Sequence, residues 1–239
     1  VSGEPAPGLV AIGASAGGIE AFRKFFAKMP PDSGLAFVVV LHLAPDRKSM
    51  LRDILARWTA MPVAEAEDGV AVEANHVLVV PGGTVAQLRE GRLWLHSIPA
   101  DAPRRNAPID AFFDSVAAAL GEEAIGVVLS GTGHDGSLGL KAIKARGGLT
   151  LAQGGDGAGP EYSGMPASAV AAGAVDLYVE VEDMPERILA ARQVRLAAPS
   201  DRGDASVDSD GVRTEICDIL RSRLGHDFSQ YKHQTFMRR

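Results

Sequence analysis

Three residues of this chain carry groups that could work together on an acyl bond. Ser15 lies in the small-residue stretch Gly13-Ala14-Ser15-Ala16-Gly17-Gly18, His42 directly follows the apolar run 37–41, and Asp135 lies in Gly131-Thr132-Gly133-His134-Asp135-Gly136. A hydroxyl, an imidazole and a carboxylate are the parts of a nucleophile, its general base and the group that orients that base. The glycines and alanines around Ser15 leave little bulk near its oxygen. They also permit a tight strand-to-helix turn with amide N–H groups facing a substrate. The chain order Ser, His, Asp differs from the Ser, Asp, His order of the α/β-hydrolases.

Each residue also has a plainer reading. Ser15 stands where a helix N-cap would stand, His42 closes a buried strand as a structural histidine would, and Asp135 suits a turn or the cap of the helix that follows it. The two glycine-rich stretches admit an anion cradle as well. Neither matches the dinucleotide fingerprint or the phosphate-loop pattern. The histidines at 76, 96, 134, 226 and 233 have no ligand-like spacing to Cys, Asp or Glu, so neither a metal nor a cofactor is expected. Arg104-Arg105 reads as a solvated patch that could meet an acidic partner.

The elements that must position these groups alternate. Strand-like runs at 9–12, 36–41, 124–129, 149–153 and 175–179 are separated by helix-like segments at 19–28, 49–58, 109–120, 137–145 and 165–172, and a helix at 184–194 follows. Ser49 or Asp46 is the expected cap of the second helix. This alternation predicts an α/β fold: a doubly wound, mainly parallel sheet with helices on both faces. In such sheets ligands gather at the carboxyl ends of the strands, where Ser15, His42 and Asp135 all fall. The stretch 63–96 reads differently. Its short runs at 76–80, 85–89 and 92–96 are punctuated by Pro81-Gly82-Gly83 and Glu90-Gly91, which predicts an antiparallel hairpin excursion.

Composition narrows the classes. The 239 residues are 46% hydrophobic and 23% charged, with a net charge of -6. That balance disfavours a nucleic-acid or anionic-membrane binder. The single cysteine, Cys217, excludes an intrachain disulfide. No signal pattern or membrane-length apolar run is present, so a cytoplasmic protein without membrane insertion is expected. Domain boundaries are expected at 1–196 for a catalytic domain, 197–212 for a small, acidic linker, and 213–239 for a further region whose Ile216, Ile219, Leu220 and Leu224 fall at helical spacing.

Ordered motifs then point to a family. Residues 9–192 resemble the catalytic domain of the bacterial chemotaxis receptor methylesterase, a protein-glutamate methylesterase and glutaminase. The motifs are Ile12-Gly13-Ala14-Ser15-Ala16-Gly17-Gly18-Ile19-Glu20-Ala21, Val39-Val40-Leu41-His42-Leu43-Ala44-Pro45, Asn75-His76-Val77-Leu78-Val79-Val80-Pro81-Gly82-Gly83, and Val127-Val128-Leu129-Ser130-Gly131-Thr132-Gly133-His134-Asp135-Gly136, with Gly164-Met165-Pro166 as a further element. The resemblance implies Ser15 as nucleophile, His42 as its base, Asp135 as the orienting carboxylate, and backbone N–H groups of Ala16, Thr132 and Gly133 around the oxyanion. It implies hydrolysis of glutamate γ-methyl esters on chemoreceptors, with deamidation of glutamines as a companion reaction. The position of Thr132 is usually methionine in the family, but only its backbone is needed there. The usual form carries a phospho-acceptor receiver domain ahead of this region, and activation by aspartyl phosphate is not expected within this chain. Residues 214–239 resemble the opening of the receptor methyltransferase's helical region, which would make the chain part of a fused protein. A docking module without turnover and a small-molecule esterase are the alternatives.

Overall fold

The computed structural model describes residues 8–42, 50–98, 107–155, 157 and 159–197. The expected linker beyond Ala197, the methyltransferase-like region, Arg104-Arg105, Cys217, His226, His233 and both proposed caps of the second helix lie outside these residues, and Ala197 itself ends a helix. Two compact units divide the chain, Val1–Gln193 and Val194–Arg239. The sheets belong to the first. Within the second, the described residues are only the final residues of a helix.

The strands form where β-branched and apolar residues run without interruption. A seven-stranded sheet takes β1 (Leu9–Ala14), β2 (Ala36–Leu41), β3 (Val63–Glu65), β5 (Val77–Val79), β8 (Ala124–Val128), β9 (Leu149–Gln153) and β10 (Leu177–Val179) in the order β10-β9-β8-β1-β2-β5-β3. Every pairing in it is parallel. A smaller antiparallel sheet takes β4 (Val70–Ala71), β7 (Arg92–Ser97) and β6 (Thr84–Arg89), in that order.

The doubly wound expectation therefore holds, but the excursion is smaller than its punctuation predicts. β3 and β5 belong to the main sheet, and only β4, β6 and β7 leave it. The physical reason is visible in burial. Val77, Leu78, Val79 and Val80 are all buried, as in a strand covered on both faces, whereas a half-exposed hairpin strand alternates. The second helix is also shorter than expected, α2 spanning Leu51–Leu55.

Side-chain alternation along β1 sends Val10 and Ile12 to one face and Leu9 and Ala11 to the other. The first face is covered by α1 (Gly18–Lys28), α2 and α6 (Met184–Ala197), through Phe22, Phe25, Phe26, Leu55 and Ile188. The second face is covered by α3 (Pro108–Leu120), α4 (Ser137–Ala145), α5 (Gly164–Ala171) and the small sheet, through Phe112, Phe113, Leu140, Met165 and Leu93. A side chain at Gly13 would collide with Ile109, so the missing Cβ lets the start of α3 reach the end of β1. The chain winds one way from β1 to β2 and the other from β1 to β8. Their carboxyl ends thus form the switch point at which parallel sheets open a crevice.

Candidate active site

The turn after β1 is fixed by its main chain. Ser15 N–H donates to Ser130 O at 3.0 Å, and Gly18 N–H donates to Ser15 O at 3.0 Å. Gly17 occupies the N-cap position of α1 with φ 73°, and the helix has no side-chain cap. That left-handed conformation favours glycine, and a Cβ there would lie only 2.6 Å from Ser130 Oγ. Ser15 is thus not the N-cap of α1. Its Oγ donates to the main-chain carbonyl of His42 at 3.5 Å, the long limit of a hydrogen bond.

His42 N–H donates to Ala14 O at 2.9 Å, which ties the end of β2 to the end of β1. Its side chain is 45% exposed and therefore does not belong to the core, and Nδ1 stands 3.6 Å from Asp135 Oδ2. Ser15, His42 and Asp135 accordingly meet at one end of the sheet. The expected bond from Ser15 Oγ to a ring nitrogen is not made, because the hydroxyl turns to the carbonyl of the same histidine. Catalytic hydrogen bonds are often long without substrate and tighten when it binds.

Asp135 is a cap, but not of the helix that follows it. Ala107, at the N-cap of α3, has no side-chain acceptor, and Pro108 begins the helix. The N–H groups of Ile109 and Asp110 donate instead to Asp135 Oδ2 at 3.2 Å and Oδ1 at 2.9 Å. In turn, the Asp110 carboxylate accepts from Gly139 N–H in the first turn of α4 at 2.8 Å. The two aspartates therefore pin α3 and α4 to each other, with Asp135 held between them. Burial pushes the Asp135 carboxyl above the usual carboxylate range. The two amides and, more weakly, His42 oppose that shift, while the Asp110 charge adds to it.

Three free amides complete the arrangement. Among the described residues, the N–H groups of Ala16, Thr132 and Gly133 have no hydrogen-bond acceptor. Two of them are nonetheless oriented. No peptide bond among the described residues is cis, and in a trans peptide the C=O and N–H point opposite ways. Gly18 N–H holds Ser15 O, which directs Ala16 N–H away from the helix start. Met165 N–H holds Gly131 O at 2.9 Å, which likewise sets the direction of Thr132 N–H. Gly133 has φ 85°, and its carbonyl accepts from Ser168 Oγ at 3.1 Å. Oriented amides beside a hydroxyl are what a developing oxyanion needs.

Sequence reasoning missed Ser130, Gln153 and Asp110. All three support the site through main-chain partners on other elements, which no local pattern displays. Their available signal was small: a polar residue closing an otherwise apolar strand, and an aspartate just inside a helix that begins with proline. Among the described residues, the remaining histidines make no side-chain hydrogen bond or ion pair with Ser15, His42 or Asp135. His76 Nδ1 lies 2.9 Å from Ala74 O, and His96 and His134 are exposed. Among the described residues no group of three or more His, Cys, Asp or Glu could hold a metal ion. Among the described residues no helix is long and apolar enough to cross a membrane.

Comparisons with known proteins identify the family. The family model for CheB methylesterase matches residues 10–188. A protein-glutamate methylesterase/protein-glutamine glutaminase of Bordetella pertussis strain Tohama I is 40% identical over 185 residues, covering 76% of this chain and 52% of that protein. A protein-glutamate methylesterase/protein-glutamine glutaminase 1 of Xanthomonas campestris pv. campestris is 39% identical over 185 residues, covering 76% and 51% respectively. The chain thus spans about half the length of these curated relatives. The crystal structure of the Thermotoga maritima CheB methylesterase catalytic domain superposes with a TM-score of 0.70 at 26% identity, covering 78% of this chain and all of that one. With the family match running from within β1 into α6, over well more than half of the chain, the chain belongs to the CheB methylesterase family.

Proposed function

We propose that this chain hydrolyses γ-methyl esters of glutamate side chains on chemoreceptors, and deamidates glutamines at such sites, through Ser15, His42 and Asp135. The observation that carries the reading is that the ends of β1 and β2 and the loop after β8 bring Ser15, His42 and Asp135 together at the switch point of the sheet, on segments whose amides at Ala16, Thr132 and Gly133 have no acceptor among the described residues. The names of the relatives supply the substrate class.

With Nδ1 facing Asp135, the imidazole keeps its proton on Nδ1 and presents the Nε2 lone pair as base. His42 takes the Ser15 proton as Oγ attacks the γ-carbonyl carbon. The resulting oxyanion is received by the N–H groups of Ala16, Thr132 and Gly133. Protonation by His42 then releases methanol, or ammonia from an amide. A water molecule, deprotonated by His42, attacks the acyl-enzyme; the bond to Ser15 Oγ breaks and glutamate is freed. Asp135 stays ionised throughout and offsets the positive charge that His42 acquires.

The test is methanol release from a methylated chemoreceptor cytoplasmic fragment. The wild-type chain is expected to release methanol, and Ser15→Ala to lose at least about 10³-fold in turnover with its fold intact. Wild-type turnover by Ser15→Ala, or no methanol from the wild type, overturns the proposal. Tight fragment binding without turnover by the wild type would instead favour a docking module.

A further inference from the structure

Ser130 lies two residues beyond the end of β8, at the switch point, and is almost wholly buried, at 1% exposure. All its polar groups are used, and together they reach the Ser15–Ala16 turn, Gln153 and Tyr162. Its carbonyl accepts from Ser15 N–H at 3.0 Å. Its N–H donates at 2.9 Å to Oε1 of Gln153, itself a buried residue on β9. Its hydroxyl donates to Ala16 O at 2.9 Å and accepts from Tyr162 N–H at 3.0 Å, with Tyr162 O a further 3.4 Å neighbour. Tyr162 O in turn accepts from Gly131 N–H at 3.0 Å, at the root of the loop that carries Thr132, Gly133 and Asp135.

We propose that Ser130 is a positioning residue for acyl transfer: its hydroxyl clamps the Ser15–Ala16 turn to the Tyr162 segment, so that the oxyanion amides on both sides of the crevice stay in register. This inference rests on the function proposed above. Ser130 is not a second nucleophile, because its oxygen is buried and engaged both as donor and as acceptor. Removing the hydroxyl leaves Ala16 O without its donor and Tyr162 N–H without its acceptor. The turn is then held by its remaining main-chain bonds alone and is free to tilt, and misplacement of about 1 Å at a reacting centre costs on the order of 10²-fold. Gly17 fits the same account, since its missing Cβ is what lets Ser130 Oγ approach the turn.

The experiment uses the full 239-residue chain and two probes, a fluorophosphonate that labels an activated serine and the methylated receptor fragment. Ser130→Ala is expected to slow labelling of Ser15 and to lower kcat by about 10- to 100-fold, with KM changed less than about threefold. Ser130→Thr, which keeps a hydroxyl on Cβ, is expected to recover both to within about fivefold of wild type. If Ser130→Ala does not fold, Ser130→Cys makes the comparison, since the thiol fills the site but is a poor donor. Wild-type labelling and kcat in the Ala or Cys variant overturns the inference. So does equal slowing in Ala and Thr variants, which would mark a packing role. A wild-type chain that is neither labelled at Ser15 nor active fails the functional reading itself, whereas an active wild type with an indifferent Ser130 fails this inference alone.

Discussion

Asp135 faces conflicting demands, because it must be ionised to serve His42 yet sits where burial favours its protonated form. Two amides at the start of α3 relieve part of that conflict, and the Asp110 charge adds to it. Protonation of Asp135 is therefore expected to contribute to the acid limb of kcat/KM, with activity falling as pH drops through the raised Asp135 pKa. Asp110→Asn keeps an oxygen to accept from Gly139 N–H and removes the like charge. It is expected to shift that limb to lower pH, and an unmoved limb in a pH-rate profile would refute the coupling. The sign for stability is opposite. The folded state binds the Asp135 proton more tightly than the unfolded chain does. The group's stabilising contribution is complete below its unfolded value and is lost as pH rises through the folded one. Relative to Asp135→Asn, the wild type should gain stability as pH falls across that window, measured by urea unfolding at stepped pH values.

At the scale of elements, the legible parts were those written in consecutive residues. Apolar runs followed at once by Ser15, His42 and the Gly131–Gly136 loop revealed the strand ends, and Glu90-Gly91 revealed the β6–β7 hairpin. β5 was concealed because its flanks, Asn75 and Pro81-Gly82, look like hairpin punctuation. Its place beside β2 is decided by burial on both faces, a property of the assembled layers. The capping of α3 was concealed for a similar reason: Ala107 offers no acceptor, and the carboxylate that replaces it is 25 residues or more further along the chain. α5 shows how tightly such elements frame the site. A Cβ on Gly164 would lie 3.0 Å from Gly133 N, 3.1 Å from Gly131 O and 3.2 Å from Thr132 Cα. All three are backbone atoms of the loop that carries the expected oxyanion donors, so they must move a few tenths of an ångström to admit it. Gly164→Ala, whose new methyl suits a helix start, should cost less than about 1 kcal/mol in stability yet lower kcat by about tenfold or more. Unchanged kcat on the methylated fragment would show that the loop tolerates the shift.

For the whole molecule, the sheet separates the work of staying folded from the work of chemistry. Phe37, near the start of β2, is fully buried and meets Phe25 and Phe26 edge-on, with ring centroids 6.3 and 5.7 Å away. It ties the central strands to α1. Its distance from the chemistry follows from strand geometry, since five residues at about 3.3 Å each place it roughly 16 Å from His42 along the same strand. Phe37→Ala opens a cavity among large, fully buried side chains and should cost about 3–5 kcal/mol. That is a large fraction of the roughly 5–15 kcal/mol by which domains are stable. The hydrogen bonds that hold Ser15, Ala16, Asp135 and Thr132 lie at the other end of the strands and do not pass through this ring. Below the variant's lowered melting temperature, turnover per fluorophosphonate-labelled Ser15 should therefore stay within about twofold of wild type. Fluorescence of Trp58, which packs against the same core, reports unfolding alongside the assay. The pattern is the inverse of that expected for Gly164→Ala, which spares stability and loses turnover. A Phe37→Ala variant that lost turnover in proportion to stability would show that the packing of the α1 face reaches the crevice, and that the sheet does not insulate the site.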